Sequence, residues 1–130
     1  MEFDNVTNVT IEGPHPAGNV GIQIHHIKPI NPGEVIWTVN AQHVITIGKL
    51  FQNGQYDPGC IVSIGGSGSS NPQTVRALTG SSIGSLLKDQ LLNGSQRIRS
   101  GDVLTGKRVS SDDYLGFYDS QVSVIPDEVN

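Results

Sequence analysis

The stretch from Val62 to Pro72 changes from an apolar run into a loop rich in glycine and serine, a composition that can hold phosphate. A dinucleotide-binding loop also needs a third glycine at the start of a helix, because the helix N-terminus holds the pyrophosphate. Asn71 occupies that position here, and Pro72 leads into a β-branched segment. A P-loop is excluded because no Gly-Lys-Ser/Thr follows the glycines. We therefore predict that Gly65 to Pro72 connect two strands.

The segment Gly80 to Ser82 is the better candidate for binding an anion, because a helix is predicted to begin there. Ordinary capping of that helix by Ser81 or Ser82 is the favoured alternative. We expect any ligand in this half of the chain to bind at a surface that Gly65 to Pro72 shares with Gly80 to Ser82.

A metal site is not predicted, although the chain contains four histidines: His15, His25, His26 and His43. Zinc needs three or four converging ligands, and the usual cysteine and paired-histidine spacings are absent. On a strand, the adjacent side chains of His25 and His26 point to opposite faces and cannot share one ion. Structural or exposed histidines are expected instead.

Catalytic residues are not predicted either. Cys60 begins an apolar strand, where a cysteine usually behaves as a small buried hydrophobe. The serines between positions 63 and 70 lack the Gly-x-Ser-x-Gly pattern of a nucleophile elbow. Asp112 and Asp113 are neighbours in a predicted loop and do not form a pair across a substrate. The residues that would bind a cofactor are unknown at this point.

The composition limits the classes of partner. The chain has 130 residues and a formal net charge of −4, whereas a protein that binds nucleic acid is usually basic. No apolar run approaches the roughly 20 residues that cross a membrane as a helix. The N-terminus lacks the pattern of a signal peptide, and Cys60 is the only cysteine, so a disulfide is excluded. A reducing, cytoplasmic setting is therefore expected.

Two strands and a helix are predicted in the first part of the chain. The β-branched runs Val20 to Ile27 and Val35 to Val39 favour strands. The helix is predicted from Asn40 as N-cap to Gly54 as C-cap, with an apolar stripe formed by Val44, Ile47, Leu50 and Phe51. Gly48 costs about 1 kcal/mol relative to alanine, so packing must compensate or another backbone must approach closely. If this stripe is exposed, it indicates an interface that the chain lacks.

Strands around one short helix are predicted in the second part. The pattern gives a strand at Cys60 to Ile64, a strand at Gln73 to Leu78, and a helix after Gly80 that ends at Asn93-Gly94. The apolar stripe of that helix consists of Ile83, Leu86, Leu87 and Leu91. Further short strands are predicted at residues 97–99, 103–105, 114–118 and 121–125.

The order of these elements predicts an α+β fold, specifically a ubiquitin-like β-grasp in which a mixed sheet wraps one helix. A strand-strand-helix segment precedes it. We place the domain boundary in the turn at residues 54–59, so that residues 1–54 form an N-terminal part of a larger parent domain. Residues 55–130 then form the β-grasp module with C-terminal strands.

Several ordered segments between residues 13 and 126 are similar to one protein family. The segments are the Gly13-Pro14-His15-Pro16-Ala17-Gly18 passage, "VIWTVNAQHVITIGKLFQNGQYDP", "IVSIGGSGSSNPQTVRALTGSSIGSLL", "RIRSGDVLTG" and "YLGFYDSQVSVIP". Together they resemble the A subunit of the bacterial sodium-translocating NADH:quinone oxidoreductase. The complete protein in that family is several times longer, so the resemblance implies that this chain is a fragment.

The resemblance implies a peripheral, cytoplasm-facing subunit of a multisubunit inner-membrane complex. That complex uses NADH, quinone and flavins, and the resemblance implies that the fragment binds none of them, with quinone contacted elsewhere in the full-length protein. The family is also similar to the flavin-binding subunit of respiratory complex I and to the C subunit of the Rnf complex, where a soluble-ligand-binding β-grasp follows a Rossmann-like region. Its segments for quinone binding do not match these residues.

Two functions follow as hypotheses. In the first, the chain is a structural and docking module near the quinone-reducing arm of the sodium-pumping complex, in contact with other subunits and inactive in isolation. In the second, it is a free-standing β-grasp domain that binds a soluble ligand on its sheet or at the loops Gly65 to Pro72 and Gly80 to Ser82. In the first case, the surface near these two loops is expected to meet another subunit.

Overall fold

Two units make up the computed structural model, which describes residues 4–127. The first unit reaches Asn40, and the second starts at Ala41. The position of the domain boundary predicted at residues 54–59 stays a prediction.

The first unit contains helix α1, Val20–Ile27, where the β-branched pattern predicts a strand. That prediction is wrong. The Asn19 carbonyl accepts from the N–H groups of Ile22 and Gln23 at 3.0 and 3.1 Å, which starts the helix. A strand needs a neighbour to pair its backbone groups, and none is present in this unit among residues 4–40. A helix satisfies the same groups within one segment.

The second predicted strand, Val35 to Val39, is also wrong, because these residues have no regular secondary structure. They lack a paired neighbour for the same reason, and Val35 and Trp37 are exposed. The N-terminal segment is therefore helix, irregular chain and helix.

Helix α2, Ala41–Asn53, confirms the predicted helix, and it opens the second unit. Gly54 ends it in a left-handed conformation with φ +68°. The Gly54 N–H donates to the Leu50 carbonyl at 2.8 Å, which is a C-terminal turn that glycine adopts readily.

A five-stranded sheet follows, in the order β2-β1-β5-β3-β4. Its strands are β1 Gly59–Gly65, β2 Gln73–Leu78, β3 Gln96–Ser100, β4 Lys107–Val109 and β5 Gln121–Pro126. Strands β1 and β5 run parallel, and the other neighbours are antiparallel. The predicted strands at 60–64, 73–78, 97–99 and 121–125 are confirmed, as is the α+β class. The more specific assignment to a β-grasp stays a prediction.

Helix α3, Ile83–Leu86, is shorter than predicted. The prediction that it extends to Asn93-Gly94 is wrong, because the chain turns at Asp89, where φ is +58°. Leu91 then pairs with Ser69, and the Leu92 N–H donates to the Gly68 carbonyl at 2.9 Å. The backbone of this segment thus bonds to a loop and not to its own helix.

Two predicted C-terminal strands are also wrong. At residues 103–105 the Asp102 carboxylate accepts from the N–H groups of Leu104 and Thr105 at 2.7 and 2.8 Å, which folds the run into a turn. Within residues 114–118, Tyr114 forms one isolated bridge with Ser82, and the remaining residues are irregular or form a turn.

The core of this unit lies between α3 and the sheet. It consists of Val62, Ile64, Ile83, Leu86, Leu87, Ile98, Leu115, Val122 and Val124. Alternate residues of β1 and β5 enter it, as the period of two along a strand requires. No residue of α2 belongs to this cluster.

Candidate functional site

The glycine-rich loop from Gly65 to Pro72 packs its backbone against the sheet. The Gly68 N–H donates to the Val124 carbonyl at 3.0 Å, and the Ser70 N–H donates to the Gln90 carbonyl at 2.8 Å. A Cβ atom at Gly66 would lie 2.1 Å from the Val124 carbonyl oxygen. The glycines therefore allow close packing of the loop, and the N–H groups of Gly68 and Ser70 are occupied.

The loop and the segment Gly80 to Ser82 lie at opposite ends of the β1-β2 hairpin. Ile64 pairs with Gln73 at the loop end, and Gly59 pairs with Leu78 at the other end. Five residue steps along β1 at ~3.3 Å each separate these two pairs by about 17 Å. The predicted surface shared by Gly65 to Pro72 and Gly80 to Ser82 is therefore not present on this hairpin.

Ser82 caps α3, which is the favoured alternative, and Ser81 stabilises the turn before it. The Ser81 hydroxyl donates to the Leu78 carbonyl at 2.7 Å and accepts from the Leu78 N–H at 3.1 Å. The Ser82 side chain accepts from the Ser85 N–H at 3.4 Å. Both hydroxyls are occupied by the turn and by the start of α3.

An open cleft of about 470 Å³ lies beside this turn. Its apolar part consists of Ala77, Leu78 and Leu86, and its polar part consists of Asp57, Arg76, Ser81 and Ser85, with Gly59 between them. A smaller cleft of about 230 Å³ lies on the α2 side of Asp57 and Arg76 and includes Cys60. This region is the candidate binding site of the second unit, because charged and apolar side chains meet there in an open cleft.

Asp57 connects the charged groups of the two clefts. Its carboxylate accepts from Lys49 Nζ at 2.7 Å and from the Gly59 N–H at 2.9 Å. The Lys49 hydrogen bond, followed by the Gly59 N–H and the Lys49 charge, lowers the pKa of Asp57 below its ordinary value, and the Arg76 charge adds to this. The ionised carboxylate holds Lys49 in an ion pair and attracts the charge of Arg76 without a hydrogen bond to it.

Arg76 is the polar group in the cleft that has capacity for a ligand. Its guanidinium makes no hydrogen bond to any residue in the range 4–127. A Cβ at Gly59 would lie 3.5 Å from Arg76 Nη2 and 2.9 Å from Asp57 Oδ1, so glycine leaves room for both groups. A guanidinium can pair with a carboxylate, a phosphate or a carbonyl oxygen.

The cluster of Lys49, Asp57 and Arg76 is not predicted from the sequence. Asp57 appeared only as part of a turn, and the three residues come from α2, that turn and β2. No local spacing relates them, so only the pairing of β1 with β2 and the bonds from α2 bring them together.

The four histidines do not belong to this cluster. His25 and His26 lie on α1, not on a strand, and their ring centroids are 5.4 Å apart. His43 stacks on Phe117 at 6.0 Å. Within the described part of the chain, no three His, Cys, Asp or Glu side chains are placed to hold a metal ion.

Asp112 and Asp113 do not form a catalytic pair. The Asp113 carboxylate accepts from the N–H and the hydroxyl of Ser110 at 2.8 and 3.0 Å. These bonds lower the pKa of Asp113 and stabilise a turn. Cys60 is a half-buried free thiol at the start of β1.

Two family models match the chain. Residues 1–56 match the NqrA second alpha/beta domain, and residues 61–111 match the NQRA C-terminal domain, also termed NQRA_SLBB. The chain is also 44% identical over 124 residues to the A subunit of the Na(+)-translocating NADH-quinone reductase of Tolumonas auensis. The chain belongs to the NqrA family.

Other members of the NqrA family show the same extent of similarity. The relatives from Neisseria meningitidis serogroup C and Vibrio alginolyticus are 38% and 41% identical over 122 residues each. The alignments cover 93–95% of this chain but 27–28% of the three relatives. The chain thus corresponds to about a quarter of an NqrA polypeptide.

No helix in residues 4–127 is both long and apolar enough to cross a membrane. The first matched region contains α2 and ends just before Asp57. The second contains most of β1 and all of β2, β3 and β4, and β5 lies beyond both.

Proposed function

We propose that the chain is a structural and docking module of a sodium-pumping NADH:quinone oxidoreductase, close to its quinone-reducing arm. The supporting observation is the similarity to NqrA proteins over 93–95% of the chain. The oxidoreductase and translocase activity then belongs to the whole complex, which uses NADH, quinone and flavins. This chain binds none of these by itself and is inactive in isolation.

An exposed aromatic cluster supports a docking role. The rings of Phe117 and Tyr118 lie 4.9 Å apart, and His43 lies 6.0 Å from each. The side chains of Phe117 and Tyr118 are 57% and 80% exposed. Aromatic side chains are enriched in protein interfaces, because they bury a large area at a small entropic cost.

A chimera tests the docking role. This chain replaces the matching 124 residues of the Tolumonas auensis NqrA protein, and the complex is purified and assayed for NADH-dependent quinone reduction. Phe117→Ser and Tyr118→Ser are expected to reduce the yield of assembled complex and to leave the activity per complex unchanged. Leu104→Ser is the control, because Leu104 is an exposed apolar residue in a turn. Normal assembly with a lower turnover would contradict the proposal.

We also propose that the chain lies on the cytoplasmic side of the membrane. Leu104→Cys in a Cys60→Ala background gives one exposed thiol. In the chimeric complex, a membrane-impermeant maleimide is expected to label it in inside-out vesicles and not in right-side-out vesicles. The opposite pattern would place the chain on the other side.

The cleft beside Arg76 favours a second function, a free-standing module that binds a soluble ligand. Thermal unfolding with NADH, FMN or a short-chain quinone distinguishes the two. A ligand at about 100 times its dissociation constant would add about 2.7 kcal/mol of stability. Arg76→Gln should abolish that gain, and the exposed Lys88→Gln should not. The docking proposal expects no gain with any of these ligands.

A further inference from the structure

Helix α2 faces the sheet with polar side chains. The Gln42 side-chain amide donates to the Ile61 carbonyl at 3.0 Å and accepts from the Ile61 N–H at 2.6 Å. Lys49 forms its ion pair with Asp57 at 2.7 Å. Gln42 and Lys49 are seven residues apart and so lie on the same side of the helix.

The apolar side chains of α2 lie on the opposite side. Val44, Ile47 and Phe51 are 56%, 46% and 87% exposed. At 100° per residue they lie roughly 140–200° around the helix from Gln42. Together with Gly48 they form what we call the apolar face of α2. A surface helix normally turns such a face towards a core, so this arrangement is inverted.

Gly48 is a second and independent feature of this face. A Cβ atom at Gly48 would meet no atom within 4 Å. Glycine in the middle of a helix is unfavourable relative to alanine, and no neighbour within the described part of the second unit, residues 41–127, requires it. A glycine between large apolar residues allows another backbone to approach the helix closely.

The family match indicates what covers this face. The region that contains α2 matches an alpha/beta domain, in which helices pack on a sheet. Between residues 4 and 58 the structure has helices and no strand. The relatives are more than three times longer, since the alignments cover 27–28% of them. We propose that the apolar face of α2 packs on a β-sheet formed by a part of the NqrA polypeptide outside this chain.

The size of the face fits an intramolecular contact. It presents three large side chains and one glycine, whereas a stable interface between proteins uses about 20–30 residues on each side. This face by itself is smaller than such an interface. The inference rests on family membership and does not require the docking role near the quinone-reducing arm.

Thiol labelling tests the proposal. Ile47→Cys is placed in a Cys60→Ala background, both in the isolated chain and in the Tolumonas auensis chimera. Maleimide labelling should be at least about tenfold slower in the chimeric protein than in the isolated chain, because the covering sheet must open first. Gln52→Cys is the matched control on the same helix and should react equally fast in both. Phe51→Cys is a second probe of the same face.

Each other outcome overturns the proposal. Equal labelling of Ile47→Cys in both proteins shows that the face stays open. Protection that grows with the concentration of the isolated chain indicates a second copy. Protection that appears only when the chimera joins the other subunits indicates an intersubunit contact.

Gly48→Ala gives a separate readout. It should raise the midpoint of thermal unfolding of the isolated chain, because alanine favours the helix. It should lower the midpoint of the chimeric protein, because the added methyl group meets the approaching sheet. A rise in both proteins would overturn the proposal.

Discussion

Gly66 shows what a single residue contributes to the loop after β1. Its φ is +110°, and an added Cβ would lie 2.1 Å from the Val124 carbonyl oxygen. We expect Gly66→Ala to lower the free energy of unfolding by about 2 kcal/mol or more, because the side chain adds backbone strain and a clash with β5. Urea unfolding followed by circular dichroism measures the change.

Gly65 provides the matched control one position earlier. A Cβ there would meet nothing within 4 Å, and Gly65 does not have a positive φ. Gly65→Ala should change the stability by no more than about 0.5 kcal/mol. If both variants lose the same stability, the packing explanation for the loop is wrong.

Asp127 makes the stability of the sheet depend on pH. Its carboxylate accepts from Arg97 at 2.7 Å and from Arg108 at 2.7 Å, which ties β3 to β4. The Arg97 hydrogen bond and the charges of Arg108 and Arg97 lower the pKa of Asp127 below its ordinary value of 3.8. The folded protein therefore keeps this carboxylate ionised at a pH where the unfolded chain is protonated.

The contribution of Asp127 is complete above pH 3.8 and is lost as the pH falls through the lowered pKa. Asp127→Asn should therefore destabilise the protein at pH 6 and approach the stability of the wild type in strong acid. Urea midpoints across this range measure the difference. The exposed Asp112→Asn is the control and should show no such convergence. A difference that is constant with pH would contradict this assignment.

At the scale of elements, Gln42 connects α2 to the sheet. Its side-chain amide forms hydrogen bonds with the N–H and the carbonyl of Ile61. Pairing of β1 with β5 begins only at Ser63, so β5 does not bond these two groups on that edge. The side-chain amide thus takes the place of a neighbouring strand.

Gln42→Ala should lower the free energy of unfolding by about 1–2 kcal/mol, since two hydrogen bonds of this kind are lost. Hydrogen exchange of the Ile61 amide should become faster in the same variant. Gln52→Ala on the exposed side of α2 is the control and should leave that amide unchanged. Unchanged exchange at Ile61 in Gln42→Ala would show that this contact does not protect the strand edge.

At the scale of the whole molecule, the second unit contains a complete core. All nine residues of the buried cluster lie between Val62 and Val124. A chain shortened to residues 41–130 should therefore fold by itself and unfold in one cooperative transition. Its β1 and β5 amides should exchange as slowly as in the longer chain. Faster exchange across the whole sheet would show that the second unit depends on the first.

The sequence predicted the second unit better than the first. Burial alternates along the strands at Cys60 to Ile64 and Gln73 to Leu78. Gly and Asn-Pro, which are typical of turns, mark the loop between them. The run Val20 to Ile27 has the same β-branched composition and forms a helix. Composition describes the preference of a segment, whereas a strand also needs a partner.

The sequence by itself determined the family, the α+β class, the extent of α2 and the hairpin of β1 and β2, because these depend on local patterns and on ordered motifs. The tertiary structure decided which residues meet at the cleft and which side of α2 is left exposed. Lys49, Asp57 and Arg76 are brought together by strand pairing and a single helix contact. Contacts between distant segments have no local signature, so no spacing in the sequence could have shown them.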